Sequence, residues 1–512
     1  MNGERMPRGG LLTALLLSCL LITACQEQET ELIRMGLANA PLNLDPRFAT
    51  DATSERVNRL LYQRLVEFDP NSMPKPGIAD WEAITPVHYR FTLNEHTGEF
   101  SNGEKLNARD VVTTYRQVLD PALASPKQAS LQLVASMEVI DEQRVDFHLK
   151  RPDPLFPAYL TLDILPAELI EKAHNFARKP VGSGAFDLIE WPQAGELHLQ
   201  RRSDGQGFQL ITVNNPTVRA LKLLRNEIDL LQNDLSPELI GYLRRQPGLR
   251  VEQQPGSNYT YIGFNLQDPL TGNLEIRQAI AHAIDRQAII QSVMQGAARQ
   301  AESLFPPEHW ASEQLAAYEY NPEKARKRLA ALGYNESNPL RLTYKTSSDP
   351  FRIRLATVIQ SQLKAVGIDI DLRSYDWGTF FGDIKQGNFQ LYSLSWVGIR
   401  TPDIYRDIFA SDALPPSGAN RGRYASNRVD QLLNLAEQTD NLSAQAELYH
   451  QVAAELHRDL PYIPLWYEDQ LSAQGSRIKG YQLMSDGNYD GLAQVKLKRA
   501  LDGDHVQSAT EN

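Results

Sequence analysis

The residues of this chain that could do chemistry come in small groups, not in one signature. Asn420-Arg421-Gly422-Arg423-Tyr424 crowds two guanidiniums and a phenol around a glycine. Ser395-Trp396-Val397-Gly398-Ile399-Arg400-Thr401-Pro402-Asp403 puts an indole, a guanidinium and a carboxylate in one short stretch. A guanidinium's planar fork matches the two oxygens of a carboxylate, and an aspartate pairs with an ammonium through charge-assisted hydrogen bonds. Tyr259 and Tyr261 share one face of a strand-like run. Aromatic walls of that kind accept side chains of varied shape, and the same spacing serves a buried core equally well.

No P-loop, zincin or nucleophile-elbow pattern is present. Gly182-Ser183-Gly184 reads as a turn that needs glycine conformations, not as a phosphate cradle. His450 and His457 can share a helix face, but without cysteines or adjacent acids they are a poor zinc set. With 63 acidic residues, a pair of carboxylates does not mark a catalytic dyad. The pattern predicts a protein that binds without catalysing, with no catalytic residue, metal site or cofactor assigned.

The elements that must position these groups belong to a long chain. At 512 residues, two or three domains are needed to bury its apolar surface. With 42% hydrophobic and 22% charged residues it is an ordinary globular composition. A net charge of −11 argues against nucleic acid as a partner and fits a monomer that stays in solution. Near the start, Arg5 and Arg8 precede an apolar run, Leu11–Ala24, shorter than the roughly 20 residues a bilayer requires. The run ends Leu21-Ile22-Thr23-Ala24-Cys25, which resembles a bacterial lipobox and implies a signal peptide over 1–25 with lipidation at Cys25. The one other cysteine, Cys19, falls in the part to be removed, so the mature chain has no disulfide. No later segment approaches membrane-spanning length, and the protein is expected to be exported and tethered.

Strand and helix patterns alternate along the rest, giving an α/β class. Helices are predicted over Ser54–Val66, over Asn107–Leu119 with Asn107 as cap, and from Asn321-Pro322-Glu323 to Gly333. The central stretch Tyr259–Ile290 reads as a strand to Leu266, a break, then a helix from Asn273 with Ile276, Ala279, Ile280, Ala283 and Ile284 on its apolar stripe.

The order of features resembles one family, the bacterial extracellular solute-binding proteins of family 5, receptors of ABC importers for oligopeptides, dipeptides and nickel. The resemblance rests on Leu44-Asp45-Pro46, Phe100-Ser101-Asn102-Gly103-Glu104, Ala108-Arg109-Asp110-Val111-Val112, Pro180-Val181-Gly182-Ser183-Gly184, Phe264-Asn265, Arg277-Gln278-Ala279-Ile280, Ala283-Ile284-Asp285-Arg286, Asn321-Pro322-Glu323-Lys324-Ala325 and Pro461-Tyr462-Ile463-Pro464-Leu465. It implies an α/β clamshell, the type II periplasmic-binding-protein fold, with an extra subdomain inserted in lobe I. Carried over, lobe I takes 26–72, 178–258 and 468–512, the inserted subdomain 73–177, and lobe II 259–467. Hinge strands fall near 259–265 and 461–467. The implied function is capture of peptides between the lobes and delivery to a membrane permease and its ATPase, from a lipid-anchored position in the periplasm or cell envelope. A sensor or scavenger without transport, or a nickel or haem binder, uses the same scaffold.

In peptide-binding members a tryptophan like Trp396 is followed closely by an aspartate that pairs with the peptide's amine. Here that place holds Ile399-Arg400, and the nearest acid is Asp403. Either Asp403 takes the amine, or Arg400 takes an anion of the ligand, or the two pair with each other on a surface loop. Tyr424, Tyr259 and Tyr261 are the further candidates for the cleft wall. Thr50 and Ala52 align with a segment that pairs with the ligand backbone as an added strand.

Overall fold

In the computed structural model, which describes residues 32–193 and 195–498, strands gather into one large mixed sheet and smaller antiparallel units. In chain order they begin with β1 (Ile33–Leu37) and a short hairpin of β2 (Val66–Phe68) and β3 (Pro74–Pro76). A four-stranded antiparallel sheet follows, made of β4 (Ala79–Thr85), β5 (His88–Leu93), β6 (Val134–Val139) and β7 (Arg144–Leu149), in the order β4-β5-β7-β6. Then come β8 (Phe186–Gln193), β9 (Glu196–Arg201), β10 (Gly207–Thr212), β11 (Leu230–Gln232) and the long β12 (Arg250–Phe264). The last are β13 (Ala298–Gln300), β14 (Leu340–Ser347), β15 (Ile368–Tyr375), β16 (Leu391–Trp396) and β17 (Tyr462–Gln474). The large sheet runs β15-β14-β16-β12-β17-β11-β1-β10-β9-β8, with β13 added on β17.

β12 and β17 are long enough to belong to both halves of that sheet. The second half of β12 pairs with β16, setting Tyr259 opposite Trp396 and Phe264 opposite Leu391. Its first half, Arg250–Gln254, pairs with the end of β17, which in turn meets β11. Each half has its own core. Ile262, Phe264, Ile280, Leu342, Ile359 and Ile463 fill one, and Ile33, Met35, Leu197, Phe208, Leu210 and Leu230 fill the other. The four-stranded sheet has a third, where the Phe91 and Tyr115 rings each meet Phe147 edge-on. Fully burying one such ring contributes about 1.5–3 kcal/mol, so each unit carries enough apolar mass to hold its own shape.

Helix boundaries follow the capping residues. The helix Ala108–Leu119 starts with a reciprocal capping box between Asn107 and Asp110, and Asn321 caps Pro322–Ala331. The helix predicted to begin near Ser54 starts two residues earlier, because Asp51 accepts from the Ser54 N–H, and ends at Leu61, not Val66. The apolar stripe from Asn273 is also corrected. It is two helices, Leu274–Ala283 and Arg286–Ser292, separated where Ile284 turns extended and Asp285 caps the second by accepting from the Ala288 N–H. Two buried arginines tie this pair to the start of β17. Arg277 donates to the carbonyls of Thr271, Gly272, Asp459 and Leu460, and Arg286 to those of Ala301, Pro464 and Tyr318. Among the described residues no helix is long and apolar enough to cross a membrane. Cys25 lies outside the described residues.

Candidate functional site

The pairing of β12 with β17 is interrupted between Gln254 and Asn258. There Gly256 passes so close to β17 that a Cβ would stand 2.2 Å from the Glu468 carbonyl oxygen. Around this bulge lies a cavity of about 420 Å³ walled by both halves of the molecule. Its walls are the β2–β3 turn from Phe68 to Ser72, the bulge itself, Arg299, the Pro306–His309 region, the loop Gly398-Ile399-Arg400 after β16, and Met484-Ser485-Asp486.

Arg400 spans that cavity. Its Nη2 is 2.6 Å from Asp486 Oδ2 and its guanidinium lies 5.1 Å from the centre of the Phe68 ring. Burial pushes the Asp486 carboxyl up, but Arg400 and the Asn488 N–H outweigh it and hold the group below the usual carboxylate range. The backbone of Arg400 is fixed as well, since its carbonyl accepts from His309 Nε2 at 2.7 Å. His309 Nδ1 accepts from the Ala311 N–H at 3.1 Å, and its ring stacks on Phe305 at 4.1 Å. That pattern is the neutral tautomer, and burial draws the His309 pKa down to about 4.

Asp403 does not pair with Arg400, so the surface pair between the two is not formed. Asp403 begins the short helix Ile404–Phe409 without capping it. Its side chain keeps an exposed face but is crowded by protein, and that desolvation, with Asp153 adding to it, raises the carboxyl to about 6. Asp153 is itself buried, accepting from the Leu155 N–H and from the Tyr159 hydroxyl at 3.2 Å. An acid near pKa 6 can hold an ammonium at neutral pH and loses that ability on mild acidification.

Tyr259, Tyr261 and Tyr424 stand in the aromatic core behind this wall, at 2%, 0% and 5% exposure. Tyr261 stacks on Tyr462 at 4.0 Å, and the Tyr424 hydroxyl donates to Asp459 Oδ2 at 2.6 Å. Tyr259 borders a small internal hollow of about 30 Å³ with Glu302, His457 and Tyr462. Trp396 is half-buried beside Tyr259, and its indole N–H, itself buried, has no hydrogen-bond partner among the described residues. Thr50 is exposed and Ala52 already opens a helix. Neither borders the cavity, and Ala52 lacks the extended backbone that added-strand pairing needs.

Residues not singled out by the sequence complete the site. Arg299 pairs with Glu308 at 2.6 Å on the cavity wall. Arg352 pairs with Glu468 at 2.6 Å, and Glu468 also accepts from the Thr260 hydroxyl at 2.9 Å. Arg352 and Thr260 border a second hollow of about 190 Å³ with Ser347, Trp377, Ser393 and Ser395. It lies at the C-terminal ends of the parallel strands β14 and β15, where open α/β sheets place their ligands. Nothing in local spacing announces Glu468, Asp486 or Asp153, since each meets its partner only through the fold. Among the described residues no group of three His, Cys, Asp or Glu side chains could hold a metal ion.

A family model, bacterial extracellular solute-binding proteins family 5 middle, matches residues 74–413, well over half the chain. The chain belongs to this family. Family 5 proteins bind substrates for ABC importers and are not enzymes; relatives are periplasmic. The peptide transport periplasmic protein SapA of Salmonella typhimurium is 31% identical over 85% of this chain and 87% of its own length. Heme-binding protein A of Haemophilus influenzae is 27% identical over 90% of this chain and 91% of its own. Among solved structures, the ABC transporter substrate-binding protein CtaP of Listeria monocytogenes matches 91% of this chain and 99% of its own with a TM-score of 0.82 at 21% identity. The fold is thus the two-lobed periplasmic-binding-protein fold of family 5. The cavity at the bulge is walled by segments from both halves of the molecule, and the Arg400–Asp486 pair spans it.

Proposed function

We propose that this family 5 protein captures peptides between its lobes and delivers them to an ABC permease and ATPase. The observation that carries the reading is the cavity at the crossing strands, walled by both lobes, in a chain that resembles a peptide transport protein over most of its length. Lobe I takes 26–72, 178–258 and 468–512, the inserted subdomain 73–177, and lobe II 259–467. Closure brings Arg400 against Asp486, and a ligand that bridges the lobes favours the closed state by its differential affinity for it. Trp396, Arg400 and Asp403 form the lobe II side of the grip, Tyr259, Tyr261 and Tyr424 brace it from behind, and Thr50 and Ala52 lie on the lobe I approach. The protein acts as a monomer, held to the cell envelope by lipid on Cys25.

Native mass spectrometry of the protein purified from its own host tests the ligand class. Peptide masses released on unfolding are the expected result; haem or a nickel complex in their place sinks the peptide reading. Cys25→Ser tests the anchor separately, since it moves the protein from the membrane to the soluble envelope fraction if the lipid is there.

A further inference from the structure

The hollow of about 190 Å³ at the ends of β14 and β15 is lined by five hydroxyl side chains, Thr260, Thr346, Ser347, Ser393 and Ser395. Among the described residues on its wall the one charged side chain is Arg352, and its charge is already answered. Nη1 of Arg352 stands 2.6 Å from Glu468 Oε1, and Nη2 stands 3.3 Å from Oε2. Glu468 also accepts from the Thr260 hydroxyl at 2.9 Å, and that hydroxyl lies 2.6 Å from Ser395 Oγ. Burial pushes the Glu468 carboxyl up, but Arg352 outweighs it and holds the group below the usual carboxylate range. The fork of the guanidinium is therefore occupied. A ligand carboxylate arriving here meets a cation already matched, with a second negative charge just behind it.

The aromatic wall of the hollow is Trp377. It opens the helix Trp377–Gln386, which Asp376 caps by accepting from the Thr379 N–H at 3.1 Å, so its backbone is fixed. Trp377 is 59% exposed, and its indole lies within 9° of parallel to the Phe381 ring, with centres 5.3 Å apart. Phe381 is held in turn by the Arg421 guanidinium at 5.2 Å and the Lys385 ammonium at 5.3 Å. The indole is thus braced from one side and open over more than half of its residue's surface. The rim looks toward the other half of the molecule: two residues beyond Arg352, Arg354 pairs with Glu238 in the helix Pro237–Arg244 that follows β11.

A hydroxyl both donates and accepts, so a wall of hydroxyls suits a ligand group that does the same. An open indole suits a flat apolar face. Together with an ion pair that offers no net charge, these features match a neutral ring bearing several hydroxyls, which is a sugar. We propose that this hollow is a subsite for an uncharged sugar ring, stacked on Trp377 and hydrogen-bonded by the hydroxyl lining, and that Glu468 makes it reject carboxylates by occupying Arg352. The proposal rests on the reading of the protein as a receptor that captures ligands between its lobes, and narrows it to ligands that carry such a ring, as glycosylated peptides or as free glycosides.

The test titrates four probes into the full chain by calorimetry: the tripeptide Ala-Ser-Ala, the same peptide with β-glucose on its serine, the same with β-glucuronate, and methyl β-glucoside. Wild type should bind the glucosyl peptide at least about tenfold more tightly than the plain one, the scale of one aromatic stacking contact. It should bind the glucuronosyl peptide at least about tenfold more weakly than the glucosyl one, as a charge left beside its like requires. Trp377→Ala, at an exposed position, should bring the glucosyl peptide down to the plain one and leave the plain one unchanged. Glu468→Gln, which frees the fork of Arg352, should erase the rejection of glucuronate. Binding of methyl β-glucoside that is lost in Trp377→Ala, without binding of the plain tripeptide, upholds the subsite and removes the peptide reading. Equal binding of plain and glucosyl peptides by wild type overturns the subsite and leaves the peptide reading intact. Equal binding of glucosyl and glucuronosyl peptides by wild type overturns the role of Glu468. Binding of none of the four overturns both subsite and peptide reading. If circular dichroism shows Glu468→Gln unfolded, the glucosyl-to-glucuronosyl ratio of wild type decides the role of Glu468.

Discussion

At the scale of single residues, His309 links the protonation state of the protein to the shape of its cleft. It must stay neutral, because Nε2 donates to the Arg400 carbonyl while Nδ1 accepts from Ala311. A proton on Nδ1 would face an N–H. Its folded pKa, near 4, lies below the unfolded 6.5, so the unfolded chain binds the extra proton and stability falls as pH drops from 6.5 to 4. The full effect is roughly 3 kcal/mol, and thermal unfolding from pH 7.5 to 4 should show it, with His309→Phe flattening the slope in that window. Asp403 titrates the other way: its folded pKa is raised to about 6, so its proton uptake favours the folded state as pH falls. If it holds a ligand amine, affinity at pH 5 drops against pH 7.5 and Asp403→Asn abolishes the difference. A flat titration calorimetry profile across those two pH values would remove Asp403 from the grip. The sequence showed that an indole, a guanidinium and a carboxylate share one stretch. It could not show that Arg400 reaches Asp486, 86 positions away, because ion pairs between distant segments leave no local periodicity to read.

Elements were easier to read where a local rule decides them. Asn107, Asn273 and Asn321 cap the helices that their side chains announce, each accepting from a backbone N–H of the first turn. The break at Ile284–Asp285 was hidden because the apolar stripe continues across it, although the aspartate is itself a cap signal. Asp285→Ala should cost about 1 kcal/mol and be read as a lower chemical-denaturation midpoint at unchanged m-value. The crossing strands were legible as an aromatic run and a proline-bounded run, yet more than half of each, Arg250–Asn258 of β12 and Glu468–Gln474 of β17, is mostly polar and carries no clear strand alternation. Tertiary pairing across the molecule makes them strands. The bulge between them depends on Gly256, whose replacement by alanine drives a methyl into the Glu468 carbonyl. Gly256→Ala should destabilise by about 1–3 kcal/mol, as overpacking does, and alter the change in radius of gyration on ligand binding. Unchanged stability and an unchanged scattering profile would mean that the bulge is not where the lobes pivot.

For the whole molecule, the question is what holds the two lobes together when no ligand is present. Besides the continuous strands, ion pairs and hydrogen bonds join them. With the lobes bounded as proposed, Arg400 pairs with Asp486, Arg354 with Glu238 and Arg151 with Glu437 from one lobe to the other, and the Trp310 backbone N–H reaches the Asn71 carbonyl of the β2–β3 turn at 3.3 Å. Most of the apolar mass lies within the separate cores, where it resists bending, although Leu155 and Tyr159 pack against the cluster that holds Tyr405 and Tyr449. Ion pairs of this partly exposed kind are worth roughly 1 kcal/mol or less each, about a fivefold shift in a two-state population. That is enough to bias closure without locking it, as a receptor that must release its cargo requires. Asp486→Asn should therefore shift the ligand-free protein toward a more open form, seen as a larger radius of gyration by small-angle X-ray scattering, and weaken ligand binding up to about fivefold with little change in either lobe's unfolding. Raising the salt concentration should mimic the substitution in wild type and have less effect on the variant, because part of the screened interaction is already gone. If Asp486→Asn leaves both scattering and affinity unchanged, the lobes are held by their strands alone, and Arg400 is released from closure to compete for the ligand's charge.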